Sequence, residues 1–113
     1  MVYCYTMLEK DIEKHLVWAV ELFGGKAYKF TSPASRGVAD RIVCWPDGSV
    51  WFVELKKQGG KLSALQQRFA AEMKTLRQNY AVLWSKEDVD QWIAATAVPK
   101  KEMKNCATAP VSE

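Results

Sequence analysis

The sequence predicts an α/β fold: a three-layer sandwich in which a mixed sheet, built round a central antiparallel hairpin, is flanked by helices. Three observations carry that expectation. Apolar residues recur at helical spacing in three separate stretches, and strand-like stretches rich in Val, Ile, Trp and Phe lie between them. Two of those strands flank Pro46-Asp47-Gly48, a turn signal that reads as a hairpin. Finally, both alternating faces of that hairpin are apolar, with Ile42 and Phe52 on one and Val43 and Val53 on the other, as suits a sheet covered on both sides.

In chain order, Leu8, Ile12, Leu16, Ala19 and Phe23 form one apolar helical stripe. Thr6 stands three residues before Glu9, a capping-box spacing, and Gly24-Gly25 ends the helix. Lys26 to Phe30 reads as a short strand and Thr31 to Gly37 as a polar loop. Val38 to Trp45 and Val50 to Lys56 are the hairpin strands. After Gln58-Gly-Gly60, Ser63 caps a second helix whose stripe is Leu65, Phe69, Met73 and Leu76. Tyr80 to Trp84 is a further strand, and Ser85 opens a last helix with Val89, Trp92 and Ile93. The predicted order is α-β-β-β-α-β-α. The domain spans residues 1–97. Residues 98–113, which hold two prolines and have three lysines among their first seven residues, read as a flexible tail.

Composition narrows the function classes. At 113 residues there is room for one domain, and 49% hydrophobic with 26% charged residues is a globular mixture, not a disordered one. No apolar run approaches the roughly 18 residues of a membrane span, and the charged start is not a signal peptide. Three scattered cysteines and one histidine argue against a disulfide framework, a zinc site and a Ser-His-Asp triad, and a cytoplasmic location is expected. The net charge of +3 permits a nucleic-acid partner without demanding it. Trp18, Trp51 and Trp84 suit the core, whereas Trp45 at the turn and Trp92 on the last helix are expected at the surface, where aromatics mark protein interfaces.

The hairpin register makes the chemical case. A three-residue loop pairs Trp45 with Ser49 and brings Asp40 opposite Glu54, since both acids lie seven residues from Asp47. Directly opposed like charges destabilise a sheet. Lys56, two residues beyond Glu54, leaves the same face. Two close carboxylates are the hard donors that Mg²⁺ or Mn²⁺ takes, and a neighbouring lysine can steer a water and offset charge at a phosphorus centre. A surface salt bridge between Lys56 and the two acids is the alternative. Lys26, Lys29, Arg36, Lys57, Lys61 and Arg68 lie close in sequence to these groups and would supply the positive rim that binds phosphates.

Asp40 followed after thirteen residues by Glu54-Leu55-Lys56 resembles the PD-(D/E)xK nuclease motif. Glu9 on the first helix, Gly37-Val-Ala-Asp40, Val53-Glu-Leu-Lys56 and Leu62-Ser-Ala-Leu-Gln66 together resemble the VRR-NUC (virus-type replication-repair nuclease) family over residues 6 to 95. One departure is Ala39, where the family usually has proline. The resemblance implies a restriction-endonuclease-like fold and a metal-dependent phosphodiesterase. It implies that Glu9, Asp40, Glu54 and the Leu55 backbone carbonyl hold Mg²⁺ or Mn²⁺, that Lys56 acts on the attacking water, and that Gln66 joins the cluster. Glu9 and Gln66 each also stand in a capping-box position, and one residue can cap and still face the site.

The resemblance further implies a DNA endonuclease of phage or mobile-element type in the cytoplasm of a bacterial host. It would resolve four-way junctions as a homodimer, without an organic cofactor or a membrane. The alternatives are a less selective nicking or flap nuclease and a catalytically silent nucleic-acid-binding module.

Overall fold

The computed structural model describes residues 8–32 and 36–97. Thr6, part of the polar loop and the predicted 98–113 tail lie outside the described residues. The elements are α1 (Glu9–Leu22), β1 (Lys26–Lys29), β2 (Arg41–Cys44), β3 (Val50–Leu55), α2 (Ala64–Thr75), β4 (Asn79–Leu83) and α3 (Lys86–Thr96). That is the order the sequence predicts. The four strands form one sheet in chain order, with β1–β2 and β2–β3 antiparallel and β3–β4 parallel. A parallel pair needs a crossover, and α2 supplies it.

The hairpin turn sets the register. The Trp45 amide donates to the Ser49 carbonyl at 2.9 Å, and the Gly48 amide to the Trp45 carbonyl at 3.0 Å. Asp47 Oδ1 accepts from both the amide (2.9 Å) and the hydroxyl (2.7 Å) of Ser49, bonds that hold its carboxyl below the usual range. Gly48 takes φ +94°, a left-handed conformation that favours glycine. The loop is therefore three residues long, and Cys44, Val43, Ile42 and Arg41 pair in turn with Val50, Trp51, Phe52 and Val53.

Alternation along these strands separates two faces. Val43, Val53, Leu55 and Leu83 meet Ile12, Leu16 and Val20 of α1 and Val89 and Ile93 of α3 in one buried core. Leu16 is fully enclosed there, so truncation to alanine would cost roughly 2–5 kcal/mol. The other face is aromatic: Phe52 lies 5.9 Å from Phe30 and 6.0 Å from Phe69, which in turn lies 5.9 Å from Tyr80. α2 packs on this face, chiefly over β4.

Several local expectations are corrected. The N-cap of α1 is Leu8, whose amide donates to Asp11 Oδ2 at 3.3 Å, so Glu9 is the first helical residue and not the third. Leu8 and Phe23, at the ends of the predicted stripe, are exposed and stand as the caps of the helix, outside it. In α2 only Met73 is buried, and Leu65 and Leu76 face outward because the helix covers little more than one edge strand.

The tryptophans exchange places with expectation. Trp45 is 3% exposed, its ring lying over Gly25, where a Cβ would come within 2.6 Å of it. Trp92 packs between Trp45 (5.9 Å) and Trp51 (5.6 Å), and Ile93 is buried, so these residues form core and not an outer interface. Trp18 is instead 59% exposed. It sits two positions from both Leu16 and Val20, about 200° round the helix from the stripe.

Candidate active site

Glu54 is the one charged side chain buried among the described residues, at 2% exposure. It lies in β3, paired on one side with β2 and on the other with Val82 of β4, so its backbone has no freedom to carry it outward. Alternation turns it to the α2 face, next to Phe52. Its Oε2 accepts from Gln66 Nε2 at 3.0 Å. Its Oε1 is buried with no hydrogen-bond partner.

Asp40 stands one step beyond the last ladder pair, Arg41 with Val53. Its amide donates to the Val53 carbonyl at 3.0 Å, its carbonyl accepts the Phe30 amide at 3.0 Å, and its Oδ2 accepts the Leu55 amide at 2.9 Å. The side chain is thus pinned against the start of the Glu54-Leu55-Lys56 segment. The Asp40 carboxylate lies close enough to Glu54 for its charge to act on it. Burial, followed by the Asp40 charge, pushes Glu54 up to about 8, with Lys56 opposing and Glu9 adding the smallest upward push.

Lys56 leaves β3 with its amide bonded to the Leu83 carbonyl at 3.0 Å, its side chain half-buried. Leu55 lies between the charged pair, its side chain in the opposite core. Gln66 faces the site from the first turn of α2. That turn is held by Ser63, whose hydroxyl accepts the Gln66 amide at 3.1 Å. Gly37 presses on the same turn: at φ +84°, its missing Cβ would lie 2.6 Å from the Leu65 backbone. The chain leading into Asp40 is therefore seated beside Gln66, and Ala39, in the place of the family's proline, is buried there.

Glu9 is exposed at the start of α1 and reaches Glu54 only as a weak charge. Among the described residues no three Asp, Glu, His or Cys side chains gather as a metal-binding group. Asp40, Glu54, Lys56 and Gln66 are brought together; Glu9 stands at their margin.

Sequence reasoning missed Tyr80. It shares the face of Glu54, and its hydroxyl is pushed up to about 12 by burial and then by the charges of Glu54 and Asp40. Alternation along Tyr80-Ala81-Val82 was a signal, but only the parallel register of β4 reveals which strand it accompanies.

The proposed rim divides. Arg36 and Arg68 line a cavity of about 330 Å³ with Leu65, Phe69 and Glu72. Lys57 and Lys61 are exposed beyond β3. Lys26 and Lys29, on the edge strand, are partly neutralised by Glu21 at 3.6 Å and Glu13 at 3.2 Å. Burial would raise Glu13, but bonds from Arg41 (2.7 Å) and Lys29 outweigh it and hold the carboxyl below its usual range.

The cluster fits a divalent cation on its own chemistry. A buried carboxylate oxygen without a partner, beside a second carboxylate, is costly when both are ionised. Hard oxygen donors of this kind are what Mg²⁺ or Mn²⁺ selects.

No helix among the described residues is long and apolar enough to cross a membrane. No family model matches the sequence. A curated phage protein, named "Putative nuclease p44", from Acyrthosiphon pisum secondary endosymbiont phage 1, is 47% identical over 79 residues, covering 70% of this chain and 85% of the relative. A solved structure described as a "VRR_NUC domain" superposes with a TM-score of 0.74 at 28% identity, covering 78% of this chain and 96% of that one. With the α/β architecture and sheet order already described, these similarities establish that the chain belongs to the VRR-NUC nuclease family.

Proposed function

We propose that the protein is a Mg²⁺- or Mn²⁺-dependent endodeoxyribonuclease that hydrolyses phosphodiester bonds with a preference for branched DNA. The observation that carries this reading is the unpartnered, buried Oε1 of Glu54, beside Asp40 and on the face that Lys56 shares. Asp40 and Glu54 would hold the cation with the Leu55 carbonyl, and Glu9 would join the shell only by swinging in from the margin of the cluster. When bound, the cation supplies Lewis acidity at the scissile phosphate. Gln66 Nε2 fixes the orientation of Glu54, and the Leu55 amide fixes that of Asp40. Lys56 Nζ orients the attacking water and offsets charge gathering on the phosphoryl oxygens. Arg36, Lys57, Lys61 and Arg68 bind flanking phosphates, with weaker help from Lys26 and Lys29.

A four-way junction requires two symmetric cuts, and each chain carries one cluster. A two-fold homodimer is the simplest assembly that supplies both. Exposed Leu22 and Phe23 offer apolar surface for an interface, which would need on the order of 1,000 Å². A phage relative named as a nuclease supports action in the cytoplasm of a bacterial host.

The test is cleavage of a labelled four-way junction and of linear duplex of the same sequence, with Mg²⁺, Mn²⁺ or EDTA, beside light scattering of the free protein. Metal-dependent cutting of the junction in two symmetric strands is expected. Equal cutting of flaps and junctions by a monomer would reduce the reading to a less selective nicking or flap nuclease. Binding without cleavage under every metal would leave a silent binding module.

A further inference from the structure

Away from the acidic cluster, a groove of about 500 Å³ runs between α1 and the β1–β2 edge of the sheet. Its helical wall carries Lys10, Lys14 and Trp18, each four residues after the last, so their side chains form one ridge about 12 Å long. Lys29 and Arg41 line the opposite wall. Glu13 and Glu21 are also present, but both are engaged: Glu13 accepts from Arg41 at 2.7 Å and Lys29 at 3.2 Å, and Glu21 faces Lys26 at 3.6 Å. Lys10 and Lys14 have no anionic partner among the described residues. The groove as a whole therefore keeps a positive excess, with Lys10, Lys14, Lys29 and Arg41 set against Glu13 and Glu21.

Trp18 is 59% exposed and yet braced. The His15 ring lies 5.6 Å away at a 37° tilt, and His15 Nε2 is tied to Asp90 Oδ1 of α3 at 2.8 Å. A supported indole with a free face, in line with two unpaired ammonium groups, matches a ligand that alternates flat rings with anions. The groove lies on the α1 side of the sheet, the opposite face from the carboxylates, because Arg41 follows Asp40 along the chain and alternation turns the two side chains apart.

We infer that this groove is a track for a single-stranded segment of nucleic acid, with phosphates on Lys10 and Lys14 and a base stacked on Trp18. The inference rests on the nuclease reading above and names its substrate class as nucleic acid with an unpaired arm, which within that reading favours the flap alternative over a fully paired four-way junction. A duplex offers no base face to the indole, because its bases are already stacked on one another. A wholly apolar protein partner would bury Lys10 and Lys14 without an anion.

The experiment uses the full chain in EDTA, so that binding is read without cleavage, and a short end-labelled oligothymidylate as probe. The oligonucleotide should quench tryptophan fluorescence, and Trp18→Phe should remove most of that quenching. Trp18→Ala should weaken binding by about tenfold, the scale of one lost stacking contact. Lys10→Gln with Lys14→Gln should reduce the slope of log affinity against log salt by about 1.4, for two single-strand phosphates.

Unchanged quenching in Trp18→Phe together with an unchanged salt slope in the double lysine variant would overturn the track. So would a Trp18→Ala protein that binds the probe normally but changes its mass in light scattering, since the ridge would then serve a second copy of the chain. Trp18-dependent binding by a protein that cuts no DNA with any metal would uphold the track and overturn the nuclease reading. Cleavage without such binding would do the reverse.

Discussion

Gln66 serves Ser63 and Glu54 with the two ends of one amide: its Oε1 accepts the Ser63 backbone N–H at 2.8 Å, and its Nε2 donates to Glu54 Oε2 at 3.0 Å. Capping and site membership are one arrangement. Gln66→Ala should therefore lower stability by roughly 1–2 kcal/mol and also cut the cleavage rate. Gln66→Glu keeps the acceptor for Ser63 but replaces the donor with a third carboxylate, so it should impair cleavage more than capping. Denaturant titration and single-turnover cleavage of both variants separate the two effects. Loss of stability without loss of rate would remove Gln66 from the site.

Asp40→Asn and Glu54→Gln should each reduce cleavage on the order of 10²-fold or more, while the fold and DNA binding persist. In EDTA at pH 8, Glu54→Gln should also melt higher than the parent, because a buried carboxylate beside Asp40 is replaced by a neutral amide. Turnover near the parent's at saturating Mg²⁺ in either variant would refute the assignment.

The same buried acid gives the metal-free protein an unusual pH profile. Glu54 ionises near 4.5 in an unfolded chain and at about 8 in the folded one. The folded state holds the proton more tightly, so this group's stabilising contribution is complete below 4.5 and is lost as pH rises through 8. Melting temperature in EDTA should fall between pH 5 and 8.5, and Glu54→Gln should flatten the fall. Added Mg²⁺ should restore stability at the alkaline end, where both carboxylates are ionised and able to bind it.

Lys56→Ala should slow cleavage severely with little loss of metal affinity, since its proposed work is on the water. Manganese titration followed by calorimetry, alongside the rate, checks this. A variant that loses activity only because it unfolds would remove Lys56 from the chemistry and leave it a structural role.

How far the sequence carries is visible residue by residue. The hairpin register followed from counting outward from Asp47, because turn length and period-two alternation are local rules. The caps at Ser63 and Ser85 followed from a short polar side chain before a periodic stretch. Long-range placement did not follow. Trp45 sits beside a turn yet folds over Gly25, twenty residues away in sequence, and no local pattern reports that contact. Trp18 looked like core on bulk alone, although its helical phase sets it opposite Leu16 and Val20. Tyr80 needed the parallel register of β4, which depends on how the α2 crossover lands. Glu9 lies at the start of a helix, and its distance from Glu54 is fixed by the packing of α1 and not by any motif spacing.

The three-residue turn at Pro46–Gly48 has a consequence for how this chain can change over generations. Its residues are exposed, and of the three only Gly48 adopts a conformation that restricts substitution. Its length is another matter. Gaining or losing one residue there would slide β3 by one place, exchange its two faces, and drive Glu54 and Lys56 into the packed layer beneath α1 while lifting Val53 and Leu55 toward the substrate. Substitutions in the turn that spare Gly48 and the Asp47–Ser49 bonds should thus be tolerated and single-residue indels hardly at all, so that a surface loop distant from the carboxylates is as intolerant of length change as the carboxylates are of replacement.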